Sequence, residues 1–407
     1  MVNNILQHII DFLKDPHIAV SGIFIFMISY VISRRMIPLI IETVHYKKLM
    51  DHPNERSSHN EVTPTLAGVA FFGSLIISIF FIHYIFEKDI SFHIIAALTV
   101  LFFLGLKDDL MVLSSKTKVF SQTVAIFFIL VCPELQVINF HGFFGLTEVP
   151  LWFVVPISYF IVLYIINAYN LIDGIDGLAG ILGIVFSLIF AIFFYFAGEY
   201  FYTLLAIVIV AFLLAFLRYN LSEKRKIFMG DTGSMIVGFM LGLLTLKLLT
   251  LSPEQLKIIQ VRPQNIFVVA LSILFFPMID VIRVIIVRLV NGTGAFSADR
   301  RHMHHVFIDK GLPHIQATFT FAMSNVLAFV IIYFSNEYLS YISLSILFIV
   351  ITIITFYLLL LLDVDPSARV QRKKIKPYIP KKIYDTEFKM RKSFIIFLKK
   401  VFYKNML

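Results

Sequence analysis

Apolar runs of about twenty residues, separated by short polar loops, recur along this 407-residue chain. The hydrocarbon core of a bilayer asks for about 20 consecutive apolar residues per helix. The runs predict eleven membrane helices, at 18–41, 65–86, 90–106, 118–133, 149–170, 177–198, 200–217, 233–250, 266–290, 316–335 and 338–362. No internal repeat is visible among them. The first run follows a polar stretch with Asp11, Lys14 and Asp15 and lacks a basic leader or small-residue cleavage site, so it reads as a retained helix. Residues 1–362 are expected to form a multi-span membrane domain. Residues 363–407 form a basic tail with thirteen Lys or Arg. Within that tail, 388–405 mixes apolar and basic residues at roughly helical spacing and predicts an amphipathic helix on the membrane surface.

Composition agrees: 59% of the residues are hydrophobic, and the mean hydropathy is +0.87. The fold class expected is an all-α polytopic integral membrane protein. The single cysteine, Cys132, rules out an internal disulfide framework. The formal charge of +9, gathered toward one end, points to anionic lipid headgroups and not to nucleic acid. Lys and Arg in short loops mark the cytoplasmic side. Loops after the odd-numbered runs carry Arg34, Arg35, Lys47, Lys48 and Arg56; Lys107, Lys116 and Lys118; Arg218, Lys224, Arg225 and Lys226; and Arg288, Arg300, Arg301 and Lys310. The loop after the fifth run has none, and the even loops carry only Lys88, Lys257 and Arg262. This places the N-terminus outside and the C-terminus in the cytoplasm.

Acidic, Asn and His residues collect in five loops: RSSHNEVTP (56–64), KDDL (107–110), NAYNLIDGIDG (167–177), FMGDTGS (228–234) and DRRHMHH (299–305). On the orientation above, all five face the cytoplasm. Asp108 and Asp109 end an apolar helix and point about 100° apart, so they take different partners, or are plain surface polarity. Asn167, Asn170, Asp173 and Asp176 are spaced by threes, which on a helix makes one polar stripe. The bland alternative is a helix end followed by an Asx-rich turn. Asp231 lies between two glycines before an apolar helix, where it serves either as an N-cap or as a ligand of a divalent ion bridging phosphates. His302, His304 and His305 fit a zinc site, although the many carboxylates suit Mg²⁺ or Mn²⁺ better. Arg300 and Arg301 beside them suggest an anion pocket. Asp280 and Arg283, one helical turn apart, read as an ion pair.

Taken in this order, the segments between Asp51 and Gly311 resemble the polyprenyl-phosphate N-acetylhexosamine-1-phosphate transferase family, glycosyltransferase family four. NAYNLIDGIDGLAG, FMGDTGS and DRRHMHH carry the resemblance. The HMHH form is similar to the branch that uses UDP-N-acetylglucosamine or a related amino sugar; the branch using the muramyl-pentapeptide nucleotide shows three consecutive His. One departure is Ala67-Gly68, where many members have two glycines.

The resemblance implies transfer of N-acetylhexosamine-1-phosphate, such as GlcNAc-1-phosphate, from a UDP-sugar to undecaprenyl phosphate. UMP is released, and the lipid-linked product initiates a cell-envelope polysaccharide such as O-antigen, lipopolysaccharide or teichoic acid. It also implies Mg²⁺ (or Mn²⁺), a bacterial inner-membrane location with a cytoplasmic active site and, on the family alone, a homodimer. In roles, it implies that Asp231 and Asp173 hold the metal and that Asp108, supported by Asp109, orients or deprotonates the lipid phosphate. Asn167, Asn170, Asp173 and Asp176 would serve the nucleotide side. Phe228 would stack on uracil, with Asn220 at its polar edge. Arg300, Arg301, His302, His304 and His305 would grip diphosphate and sugar, and Arg56 and His59 would close the pocket. Two rivals stay open on the residues alone. A transporter would place polar groups near the membrane midplane and commonly show inverted repeats. A polytopic zinc hydrolase would lose activity to a zinc chelator.

Overall fold

Every apolar run becomes a helix, with connections that the sequence pattern only partly anticipates. The helices are α1 (Pro16–Lys47), α2 (Ala67–Phe86), α3 (Ile90–Leu110), α4 (Ser115–Leu130), α5 (Leu151–Ile172), α6 (Leu178–Phe196), α7 (Tyr200–Asn220), α8 (Gly230–Leu249), α9 (Pro253–Ile258), α10 (Ile266–Ile273), α11 (Phe275–Val290), α12 (Met303–Asp309), α13 (His314–Ser335) and α14 (Tyr341–Leu361). Two small antiparallel hairpins complete the fold: β1 (Met50–Asp51) with β2 (Thr63–Pro64), and β3 (Asn139–Phe143) with β4 (Leu146–Glu148). This computed structural model describes residues 16–47, 50–51, 63–111, 113–290, 302–309 and 311–361. All lie in the first of two units into which the chain divides, Met1–Val370. The amphipathic helix expected at 388–405 lies outside the described residues.

Among the described residues, nine helices are long and apolar enough to cross a membrane: α1, α2, α3, α5, α6, α7, α8, α13 and α14. The chain is therefore an all-α polytopic membrane protein. Two of the eleven expected spans differ. α4 has 16 residues, about 24 Å at 1.5 Å per residue, short of a hydrocarbon core of about 30 Å. The expected continuous helix 266–290 is broken into α10 and α11, which bend by 77°. The cause is Pro277, which has no N–H to give the carbonyl of Ile273 four residues earlier. Asn325 of α13 repairs the break: its Nδ2 donates to the Ile273 carbonyl at 3.0 Å, and its Oδ1 accepts from the Phe276 N–H at 2.8 Å. Backbone groups freed inside a membrane bundle need such a partner.

α8 is the axis of the bundle, with every residue of its apolar window buried. α2, α3 and α5 pack on it. Small residues let the backbones close up at its start, as between packed membrane helices generally. A Cβ on Gly68 of α2 would lie 2.2 Å from the Gly233 nitrogen, and one on Gly105 of α3 would lie 2.4 Å from the Thr232 Cα. Gly68 is the glycine retained where the resemblance leads one to expect a pair. Its neighbour Ala67 is fully buried and donates its N–H to the Phe228 carbonyl at 3.3 Å. At the opposite end, Lys247 of α8 pairs with Glu199 before α7 at 2.8 Å and with Glu134 after α4 at 3.6 Å, and Lys88 before α3 pairs with the same two carboxylates at 3.7 and 2.5 Å.

Gly105→Ala and Gly68→Ala are expected to destabilise the protein by about 1–3 kcal/mol each through overpacking against backbone. Gly73→Ala, whose Cβ would meet only the flexible Met36 side chain at 3.2 Å, is expected to melt within a degree or two of wild type. Thermal unfolding in detergent checks the difference.

Candidate active site

The polar loops converge at one end of the bundle, where α3 and α5 finish and α4 and α8 begin. The key contact is made by Asp109, at the end of α3. One carboxylate oxygen accepts the Asp231 N–H at 2.7 Å; the other accepts the Thr232 N–H at 3.1 Å and the Thr232 hydroxyl at 2.5 Å. These N–H groups belong to the first turn of α8, where intrahelical acceptors are missing and the helix dipole favours an anion. Asp109 therefore caps α8 from another helix. Asp231 itself is not the N-cap: the helix starts at Gly230, so Asp231 stands in the first turn with its carboxylate turned to other partners. Gly230 has φ +73°, and a Cβ there would press on the Asp109 carboxylate at 2.7 Å. Both facts account for the glycine before Asp231.

Asp108, the adjacent residue, points elsewhere, as helical geometry requires. Its Oδ1 accepts the Leu113 N–H at 2.8 Å, and its Oδ2 pairs with Lys118 of α4. Lys118 also pairs with Asp231 at 3.0 Å, so one ammonium links both carboxylates. Asn170 of α5 donates to Asp231 at 2.6 Å and to Ser234 at 2.7 Å. The polar stripe ends there, because α5 stops at Ile172. Asp173 is its C-cap, and Asp176 lies in the following turn, so the expected helical stripe of four residues is two helical residues and an Asx-rich turn.

Asp173 and Asp176 sit in contrasting surroundings. The Asp176 carboxylate accepts from Lys226 at 2.6 Å and faces His314 Nδ1 at 3.0 Å. Burial alone would raise its pKa, but the hydrogen bonds and charges of His314 and Lys226 outweigh it and hold the carboxyl below its ordinary value. The Asp173 N–H donates to the Asn170 carbonyl at 3.3 Å, but its carboxylate has no hydrogen-bond or ion-pair partner among the described residues. Its pKa lies well above the ordinary carboxylate value, first because protein surrounds it and then because Asp231, Asp109 and Asp176 add negative charge.

The histidine segment joins from the other side. His302 Nδ1 lies 2.9 Å from Asp280 of α11, whose second oxygen accepts the Met303 N–H at 3.2 Å. Arg283 also pairs with Asp280, at 3.1 Å, as expected. Asp280 is thus more than half of a local ion pair: it holds the start of α12 in place. His304 is buried against Gly174, where a Cβ would lie 2.2 Å from its Nε2, and its ring is 4.2 Å from that of His305. The histidines and the Asp173–Gly174 turn are therefore in direct contact.

Not every expected residue is free to meet a ligand. Asn220, expected near the base, has its amide engaged internally, accepting from Gly177 N–H at 2.7 Å and donating to the Ile227 carbonyl at 3.0 Å. It stitches two loops together. Asn167 donates to the Leu163 carbonyl and to Gln122, at 2.8 and 3.2 Å. Phe228 is half-buried with the Lys226 ammonium 5.5 Å from its ring centroid, and its N–H donates to the Pro64 carbonyl at 2.8 Å. That bond ties the first polar loop to the site. Arg56, His59, Arg300 and Arg301 lie outside the described residues. Lys118, Lys226 and His314 went unrecognised in the sequence. The two lysines count there only as loop charge, and His314 stands outside every motif.

Four carboxylates, Asp108, Asp109, Asp173 and Asp231, thus share one end of the bundle. Among the described residues, the ion pairs to them come from Lys118 alone. No three His, Cys, Asp or Glu side chains there form a ready-made metal cage. The donor set fits a hard divalent ion of the Mg²⁺ kind, which uses one or two carboxylates and completes its shell with water and substrate phosphates. The partnerless Asp173 carboxylate is the observation that supports such an ion.

Comparison with known proteins agrees with this geometry. A sequence model described as glycosyl transferase family 4 matches residues 91–249, the stretch that holds Asp108, Asn170, Asp173 and Asp231. The undecaprenyl-phosphate alpha-N-acetylglucosaminyl 1-phosphate transferase of Salmonella typhi is 29% identical over 303 residues, covering 73% of this chain and 77% of that protein. The proteins of the same name from Escherichia coli and Yersinia pestis are each 28% identical. They match over 276 and 303 residues, 66% and 72% of this chain and 71% and 77% of their own lengths. Over residues 91–249 the chain is thus similar to glycosyl transferase family 4.

Because the fold raises the Asp173 pKa, the ionised carboxylate opposes folding. This cost is absent below the unfolded value, about pH 4, and grows as the pH rises toward the raised folded value. Asp173→Asn is therefore expected to raise the melting temperature of metal-free protein at neutral pH and to leave it unchanged near about pH 4. Melting curves across pH, with a chelator present, check this.

Proposed function

We propose that this protein transfers an N-acetylhexosamine-1-phosphate, most simply GlcNAc-1-phosphate, from a UDP-sugar to undecaprenyl phosphate at the cytoplasmic face of a bacterial inner membrane. The observation that carries the reading is the cluster at the start of α8: Asp231 held by Lys118 and Asn170, Asp109 fixing the helix, and Asp173 without a partner. Such a surplus of negative charge suits a site completed by a divalent cation and phosphates. The acceptor and the transferred group in the relatives' names, the loop charges that orient the chain, and the position of the cluster at helix ends all support it. A transporter would be expected to place these groups at mid-membrane.

In the proposed reaction a phosphate oxygen of the lipid attacks the β-phosphorus of the UDP-sugar. The bond from that phosphorus to the bridging oxygen breaks, and UMP leaves with the bond's electron pair. Mg²⁺, held by Asp231 and Asp173, would offset the charge that builds on the phosphate oxygens. Lys118 supplies a second positive charge between Asp108 and Asp231. Asp108 orients the incoming lipid phosphate and takes its remaining proton. Phe228 and the Lys226–Asp176 pair face the nucleotide, and His302, His304 and His305 meet the diphosphate and sugar. Asp280 positions His302 by occupying its Nδ1, which leaves Nε2 for the substrate.

The test is UMP release by purified protein with Mg²⁺ and a panel of UDP-sugars, with and without undecaprenyl phosphate. Release that needs the lipid and favours one amino-sugar donor is expected; release indifferent to the lipid would contradict the reading. Asp231→Asn is expected to abolish release while the protein stays folded. Lys118→Met is expected to lose on the order of 10²–10³-fold in turnover, the usual effect of removing one stabilising donor.

A further inference from the structure

The end of the bundle opposite the carboxylate cluster carries the β3–β4 hairpin, which joins the end of α4 to the start of α5. Its base is fixed. Leu135, Val137 and Phe140 are buried, and Glu134 just before it is paired with Lys88 at 2.5 Å. Its tip turns through Phe144 and Gly145, with φ +54° and +76°, and the Gly145 N–H donates to the Gly142 carbonyl at 2.9 Å. Two successive residues at positive φ match the twist of a tight hairpin. The tip is thus a defined structure, not a slack connection.

What it presents outward is apolar. Phe144 is 73% exposed, Leu146 41% and Trp152, in the first turn of α5, 77%. Between Leu135 and Val155 the ionisable side chains are His141 and Glu148, and Glu148 lies at the returning foot of β4. A surface of this kind facing water would be a liability.

Two features say what covers it. First, Trp152 heads an exposed row on α5 that continues through Val155 and Phe160, at helical spacing, down the face this membrane span turns to lipid. Second, the tip leans on α14, the span with the smallest buried share, 6% of its window. Phe143 and Phe144 lie 5.5 and 5.9 Å from Tyr341, the first residue of that helix. A row of rings, Phe153–Phe140–Phe267–Phe143, connects the two helices, each ring centroid within 6.4 Å of the next. The exposed aromatic patch is therefore continuous at both ends with lipid-facing helices. It sits at their membrane-boundary ends, where amphipathic rings settle at the headgroup level.

We propose that the β3–β4 hairpin is an interfacial anchor: Phe144, Leu146 and Trp152 insert among the lipid headgroups of the leaflet opposite the active site. It fixes the depth of α5 and α14 in the bilayer, and so the height of the carboxylate cluster at the other end of α5. The partner is the lipid interface, not a second copy of the chain and not a soluble protein.

Trp152 is the only tryptophan in the chain, so its fluorescence reads the patch directly. Wild-type protein and a Phe144→Trp, Trp152→Phe variant are reconstituted into phosphatidylcholine vesicles. The lipid is brominated either near the headgroup end or near the methyl end of the acyl chain. The expected result is blue-shifted emission at both positions, quenched severalfold more by the shallow bromines than by the deep ones, and little affected by aqueous iodide. Strong iodide quenching without bromolipid quenching would overturn the proposal by placing the tip in water. Resistance to both quenchers would also overturn it, by placing the tip against protein. If the double variant fails to fold, the wild-type Trp152 signal alone decides between the outcomes.

Discussion

The cap that Asp109 places on α8 is the contact on which the site depends. It joins the last turn of α3 to the first turn of the fully buried central helix through two backbone N–H groups and a hydroxyl. Once α3 and α8 are pinned, Asp108 and Asp231 must share Lys118, and Gly68 and Gly105 must be small because α2 and α3 cross the α8 backbone at that level. Asp109 has spent both oxygens on this task. A carboxylate that contributes only surface polarity would not be aimed at a helix N-terminus, where its charge is worth most.

The same contact creates an electrostatic debt. Capping α8 with a carboxylate brings Asp109 toward Asp231, and the end of α5 adds Asp173. Lys118 offsets part of the charge, whereas Lys226 and His314 are committed to Asp176. The two aspartates of the DGIDG turn have opposite surroundings: Asp176 is paired with Lys226 and His314, and Asp173 is left with an unfavourable charge. A protein seeking stability alone would replace Asp173 with an amide. Retaining a carboxylate there is the kind of local conflict that marks a functional site.

Much of this was legible in the sequence, for definite physical reasons. Membrane helices announce themselves by length and apolar content, so α1–α3, α5–α8, α13 and α14 fall within several residues of their expected bounds. The different roles of Asp108 and Asp109 follow from helical geometry. The break between α10 and α11 was missed although Pro277 was in view, because its repair by Asn325 comes from 48 residues further on. Lys118 escaped notice because its partner Asp231 lies 113 residues away, and nothing in local spacing links them. The β3–β4 hairpin was invisible to a search for long apolar runs. Its signal, the Phe-Gly pair between short β-prone stretches, is weak in so apolar a chain. The HMHH segment was singled out for its histidines, but the part played by Asp280 in aiming His302 depends on the bend that brings α11 beneath α12.

On the proposed function, the carboxylate cluster at the start of α8 is built for a divalent cation. Titration of purified protein with Mn²⁺, followed by electron paramagnetic resonance, tests it most directly. The expected result is one bound Mn²⁺ per chain, displaced by excess Mg²⁺, with affinity sharply reduced in Asp231→Asn and Asp173→Asn but retained in Asp280→Asn. Binding unchanged in the first two variants would contradict the claim and move the metal away from α8.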